Sequence, residues 1–127
     1  MKRVIGFLLL TGSSLLTQAS PGHSVFADVP AKTRSKPNPL ANDRDAPIAG
    51  AKLFGEHCEE CHGTAGEGGK EAPRLINNEL RRATPGEIFW VITNGVIRHG
   101  MPSWSKLPPL ERWQIVAFLK GLNGAQK

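Results

Sequence analysis

Apolar residues in the later part of the chain recur at helical spacing, and no run alternates apolar and polar residues long enough to make a strand. Between Thr84 and Gly95, Ile88, Val91 and Ile92 form one stripe. Thr84-Pro85-Gly86-Glu87 opens that stretch as a capping box with Pro at the first helical position, and Gly95 closes it. A longer helix is predicted over residues 109–122. Ile115, Phe118, Leu119 and Leu122 fall on one side of it, and Trp113, Val116 and Ala117 on the other. Two apolar faces call for burial against more than one neighbour. A third helix is predicted over residues 47–58, with Asp45 or Ala46 as its cap and Pro47 tolerated in the first turn. Gly50 and Phe54 share a face there, and the glycine lets another helix come close. Residues 63–73 are a glycine-rich loop and residues 96–108 a second irregular stretch.

The N-terminal part has a different pattern. Lys2 and Arg3 precede an apolar run ending near Leu16, and small residues follow. That is the layout of an export signal, with cleavage expected after Ala19 or as late as Ala27. The run has about 13 positions against the ~20 a spanning helix needs, so membrane association is expected only if the segment stays uncleaved. Residues 20–46 carry Pro21, Pro30, Pro37 and Pro39 with no apolar period, and read as a disordered linker. The compact domain is expected over residues 47–123, with 124–127 as a flexible tail.

Charge adds little. Loss of Lys2 and Arg3 leaves 14 basic residues against 11 acidic ones. The stretch from Ile48 to Leu122 is close to neutral, with Arg81-Arg82 as a local basic spot. It lacks the clustered basic face of a nucleic-acid binder.

Three short helices in about 75 residues bury limited apolar surface, and chains this small are marginal without help. The two cysteines are too close together to staple the domain. They stand in Cys58-Glu59-Glu60-Cys61-His62. Two thiols one helical turn apart match the two vinyl groups of a porphyrin, and the adjacent imidazole reaches the iron, which makes C-x-x-C-H a haem attachment site. A thioredoxin-like dithiol would need a strand before the motif, and a zinc site would need further ligands, which His57 or His99 would have to supply. Once Met1 leaves, Met101 is the sole methionine. It lies between Gly100 and Pro102, which dictate backbone shape and suit a thioether held towards a metal better than core packing.

On these residues the chain resembles the class I c-type cytochromes, over about residues 48–122. Gly50 and Phe54 match the family's N-terminal helix, Ile115 and Phe118 the helix that crosses it, and Asn94-Gly95 with Met101-Pro102 the distal segment. The resemblance implies an all-α fold, with three to four helices wrapped around one covalently bound haem c. It also implies His62 as proximal and Met101 as distal iron ligand, with His99 as competitor for the distal place. Pro73 falls where the family has a carbonyl that orients the proximal imidazole. Leu75 falls where a leucine packs on the ring, and Trp104 is expected in the haem pocket. The family often has Tyr where Phe118 stands, and this chain has no Tyr, so propionate contacts must come from Trp, Arg, Lys or main chain; Arg74 is a candidate, though an ordinary exposed arginine is the favoured reading for it. His57 is expected at the surface.

The function implied is electron carriage in the periplasm between redox proteins such as a dehydrogenase, an oxidase or another cytochrome, without catalysis by this chain. A ligand-binding or peroxidase-like haem protein, in which Met101 leaves the iron, is the alternative. A non-haem redox dithiol is the third reading.

Overall fold

The computed structural model describes residues 22–124. The expected export signal, the expected cut after Ala19 and residues 125–127 of the expected tail lie outside them. Six helices follow in order: α1 (Ala31–Arg34), α2 (Ala46–His57), α3 (Glu59–His62), α4 (Asn78–Arg82), α5 (Pro85–Asn94) and α6 (Pro109–Gly124). Among the described residues the fold is all-α, with one isolated bridge pairing Val96 with Met101.

The frame is the packing of α2 on α6, the most extensive contact between elements. Ala46, Gly50 and Phe54, four residues apart, are the buried face of α2. A Cβ on Gly50 would run into the Gln114 carbonyl oxygen and lie 2.9 Å from the Phe118 Cβ. The glycine is what lets the two backbones approach. One turn on, the rings of Phe54 and Phe118 pack at 5.2 Å between centroids. Phe54 is almost fully buried, a placement worth about 1.5–3 kcal/mol for such a side chain. Helix α6 continues to Gly124, two residues past its predicted end.

Helix α5 starts as its sequence dictates. The Thr84 hydroxyl accepts from the Glu87 N–H, and the Glu87 carboxylate accepts from the Thr84 N–H at 2.7 Å. Its buried face is Ile88, Val91 and Ile92. Helix α4 carries no long apolar stripe and rests on its ends instead. The Asn77 side chain accepts from the Leu80 N–H at 2.7 Å, and the Lys120 ammonium donates to the carbonyls of Arg81 and Ala83 at 2.9 Å each.

Residues 22–46 correct the expectation of a disordered linker. Phe26 and Val29 are buried in the main core with Leu80, Ala83 and Ile88. Helix α1 lies across the start of α5, where Gly86 leaves room for the Thr33 carbonyl. The Arg34 guanidinium pairs with Glu87 and also donates to the carbonyls of Phe26 (3.1 Å) and Val29 (3.3 Å). The Thr84 hydroxyl donates to the Arg34 carbonyl at 2.8 Å, and buried Asn38 donates to the Trp113 carbonyl at 3.0 Å. The segment is a packed strap, so the folded unit begins before residue 47. No apolar period marks it because side-chain bonds to main chain, rather than a helical face, fix its course.

Candidate haem site

Helix α2 ends at Cys58, whose N–H bonds the Phe54 carbonyl at 2.8 Å, and the chain turns at once into α3. Within that turn the N–H groups of Cys61 and His62 both point to the Cys58 carbonyl, at 3.2 and 2.9 Å. Cys58, Cys61 and His62 therefore share one helical face. The Cys58 thiol is half-buried and Cys61 is exposed. Burial pushes the Cys58 thiol up to about 11, and the neighbouring Cys61 adds to the rise. A reactive dithiol needs the opposite shift, towards thiolate.

The loop after α3 turns back to meet His62. Glycines with positive φ at Gly63, Gly66 and Gly68 allow the reversal. The Gly68 N–H bonds the His62 carbonyl at 2.8 Å, and His62 Nδ1 lies 3.0 Å from the Pro73 carbonyl oxygen. A carbonyl only accepts, so Nδ1 carries the proton and Nε2 keeps its lone pair. Leu75 is pinned at both main-chain atoms. Its N–H bonds the Gly66 carbonyl at 2.8 Å, and its carbonyl accepts from the buried Asn123 amide at 3.1 Å.

Glu67 secures the same loop from outside. Its carboxylate accepts from the Ala65 N–H at 2.8 Å and sits over Gly63, where a Cβ would overlap it. Its own N–H and that of Ala65 hold the carboxyl below the usual carboxylate range. Sequence reasoning missed Glu67 and Asn123, since neither belongs to a motif or an apolar stripe.

Met101 is reached from the far end of α5. Gly95 (φ +71°) passes so close to the loop's return that a Cβ would lie 2.6 Å from the Met101 carbonyl oxygen. Val96 and Met101 exchange both main-chain bonds, at 2.9 and 3.2 Å, around a short turn at Ile97–His99 closed by Gly100 (φ +86°). His99 is exposed on that turn. Met101 is half-buried against the core, as are Leu75, Val96, Trp104 and Leu107. Trp104 donates its N–H to the Ile92 carbonyl at 3.0 Å, and its ring packs on His57 at 5.1 Å between centroids. His57, expected at the surface, is thus half-buried beside the motif, because the indole covers one side of it. Arg74 is exposed and donates from Nε to the Ile76 carbonyl at 3.0 Å.

These side chains suit a porphyrin. Two thiols and a tautomer-fixed imidazole lie on one turn, and half-buried apolar residues from three segments keep surface to cover a flat apolar ring. Among the described residues no cluster of three or more His, Cys, Asp or Glu side chains is arranged to hold a bare metal ion.

Residues 45–119 match the family model described as cytochrome c oxidase, cbb3-type, subunit III. The chain belongs to this family of c-type cytochromes. It is 29% identical over 110 residues to the cbb3-type cytochrome c oxidase subunit CcoP of Rubrivivax gelatinosus, covering 85% of this chain and 34% of that one. It is 34% identical over 73 residues to the quinohemoprotein alcohol dehydrogenase ADH-IIG of Pseudomonas putida, covering 55% and 10%. The chain thus spans about a third or less of the curated relatives it matches. Among solved structures it superposes on cytochrome cL of Methylophaga aminisulfidivorans with a TM-score of 0.58 at 29% identity, covering 67% of this chain and 58% of that one. The fold is that of a class I c-type cytochrome, as the resemblance implied. Membership in the family implies covalently bound haem c and a part in electron transfer rather than catalysis by this domain.

Proposed function

We propose that this cytochrome is an exported single-haem electron carrier. In this reading Cys58 and Cys61 hold the haem covalently, and His62 and Met101 supply the two axial ligands. The observation that carries it is the Nδ1 contact of His62 with the Pro73 carbonyl, on the same turn as both thiols. A haem bound there supplies a one-electron couple, and a thioether opposite imidazole raises its potential. What this chain's residues do is hold that couple still. Pro73 fixes the plane and basicity of the imidazole, the Val96–Met101 bridge fixes the loop carrying the thioether, and Leu75, Trp104 and Leu107 exclude water. Were His62 and Met101 both to ligate the iron, no position would be left on it for a substrate.

The relatives support partners of two kinds, a cytochrome c oxidase and a quinohemoprotein dehydrogenase, with this domain passing single electrons to or from such a protein. An export signal at the N-terminus supports a periplasmic location. No helix among the described residues is long and apolar enough to cross a membrane. Cleavage after Ala19 is preferred here, since a cut after Ala27 would remove buried Phe26 from the core.

The test is a redox titration and visible spectrum of the protein produced with the haem-attachment machinery, beside a haem stain after denaturing electrophoresis. One haem per chain that survives denaturation, low-spin in both oxidation states, is the expected result. Haem lost on denaturation, or a high-spin ferric form, overturns the reading.

A further inference from the structure

Arg112 is a buried cation, 7% exposed, and among the described residues no carboxylate pairs with it. Burying a guanidinium without a counter-charge is costly unless several groups compensate. Its two hydrogen-bond acceptors both belong to the frame of the Met101 loop. Nε donates to the Leu107 carbonyl at 3.1 Å, where the loop ends, and Nη1 donates to the Thr93 hydroxyl near the end of α5, where the loop begins. The guanidinium lies 4.8 Å from the centroid of the Phe89 ring, which is stacked on Trp113 at 4.0 Å.

Thr93 extends the tie. Its hydroxyl donates to the Phe89 carbonyl at 2.7 Å, and its carbonyl accepts from the Ser103 hydroxyl at 2.6 Å, two residues from Met101. The neighbouring Ile92 carbonyl takes the Trp104 N–H. One side chain on α6 therefore joins the start and the end of the loop. The task suits arginine, whose planar fork serves two acceptors in different directions where a lysine ammonium acts as a single point.

We propose that Arg112 is the positioning residue of the distal loop, keeping Met101 seated against competing ligands; this rests on the reading of Met101 as distal ligand. The tie at Leu107 and Thr93 closes the loop at its base, so moving Met101 away from a bound iron would work against those bonds. Removing them lowers the cost of that movement, and an external ligand then binds more tightly by the same factor.

The experiment is imidazole titration of the ferric, haem-loaded full chain. Arg112→Gln is expected to bind imidazole at least tenfold more tightly than wild type, with covalent haem retained and far-ultraviolet dichroism unchanged. Thr93→Ala, which removes one acceptor, is expected to move the same way by a smaller factor, and Arg112→Lys to fall between Gln and wild type. Phe26→Ala, a destabilising change on the strap, is the control for general loosening. An Arg112→Gln protein that folds with wild-type imidazole affinity overturns the proposal, as does an equal gain in Phe26→Ala. If Arg112→Gln does not fold, unchanged affinity in Thr93→Ala overturns it. Wild-type ferric protein lacking the far-red sulfur-to-iron charge-transfer band overturns the Met101 reading and this proposal together. The band present with affinities unmoved overturns the Arg112 role alone.

Discussion

His62 donates from Nδ1 to the Pro73 carbonyl at 3.0 Å across an eleven-residue separation, and Gly68 makes the approach possible. Gly68 has φ +82°, and a Cβ there would lie 2.6 Å from the Arg74 nitrogen and 2.9 Å from the Pro73 carbonyl carbon. Gly68→Ala is therefore expected to push the Pro73–Arg74 peptide away from the imidazole. Left-handed strain alone costs about 1–2 kcal/mol. A weaker bond at Nδ1 makes His62 a poorer electron donor to ferric iron, so the potential should rise while stability falls. Redox titration and chemical denaturation of the same sample check both signs. A potential that does not move would detach the Pro73 contact from any tuning role.

Met101→Ala should act in the opposite direction on the potential. Loss of the thioether removes the ligand that favours ferrous iron, so the potential falls, and the vacated position admits carbon monoxide in the reduced protein. His99 stands two residues away on an exposed turn and is the nearest replacement in sequence. The double variant with His99→Ala separates capture by that imidazole from true opening of the iron. Unchanged spectra in Met101→Ala would reject Met101 as a ligand.

Gly50→Ala tests the crossing on which the site is built. The added Cβ would meet the Gln114 carbonyl, which belongs to helix α6 and cannot swing aside as a side chain would. Overpacking of this kind costs about 1–3 kcal/mol. The denaturation midpoint of the haem-loaded protein should fall accordingly, with the visible spectrum of the folded fraction unchanged.

Much of this arrangement was legible in the sequence, and the illegible part has a physical pattern. The capping box at Thr84 and Glu87, the Gly50–Phe54 face and the turn carrying Cys58 to His62 all rest on local spacing, which periodicity reveals. The strap does not. Phe26 and Val29 are isolated apolar residues among prolines, and they are buried by core residues more than 50 positions further on, with Arg34 reaching Glu87 across the same gap. Arg112 was invisible for the same reason, since a lone arginine between Glu111 and Trp113 in an apolar-patterned helix shows nothing of the acceptors the fold brings to it. Asn77 belongs to no predicted element, and it caps α4.

The strap yields its own prediction. Phe26→Ala should cost about 3 kcal/mol, the lower end for a buried Phe truncation, because the site lies near the edge of the core. Arg34→Ala should cost less, since Arg34 is partly exposed and Glu87 keeps its bond to the Thr84 N–H. Among the described residues no hydrogen bond or ion pair joins either residue to the motif or the Met101 loop, so the potential should stay at its wild-type value in both. Thermal melts followed at the Soret band, beside redox titration, check the two halves separately.

Glu67 gives the pH dependence a definite sign. Its folded carboxyl is held below the ordinary value by its own N–H and that of Ala65. A lowered folded value means that the ionised form stabilises the fold. That contribution is complete above the unfolded pKa, near 4.5, and is lost as pH falls through the folded value. Glu67→Gln removes the charge while keeping the shape, so the variant should be less stable than wild type at pH 7. The gap should shrink in acid, where the wild-type carboxyl is itself protonated. The carboxylate lies over Gly63, directly after His62, so the part of the chain loosened first should be the loop that carries Pro73 back to the imidazole. Denaturation midpoints of both proteins between pH 7 and about pH 3 check this. A gap that widens on acidification would show that Glu67 does not stabilise the loop through its charge.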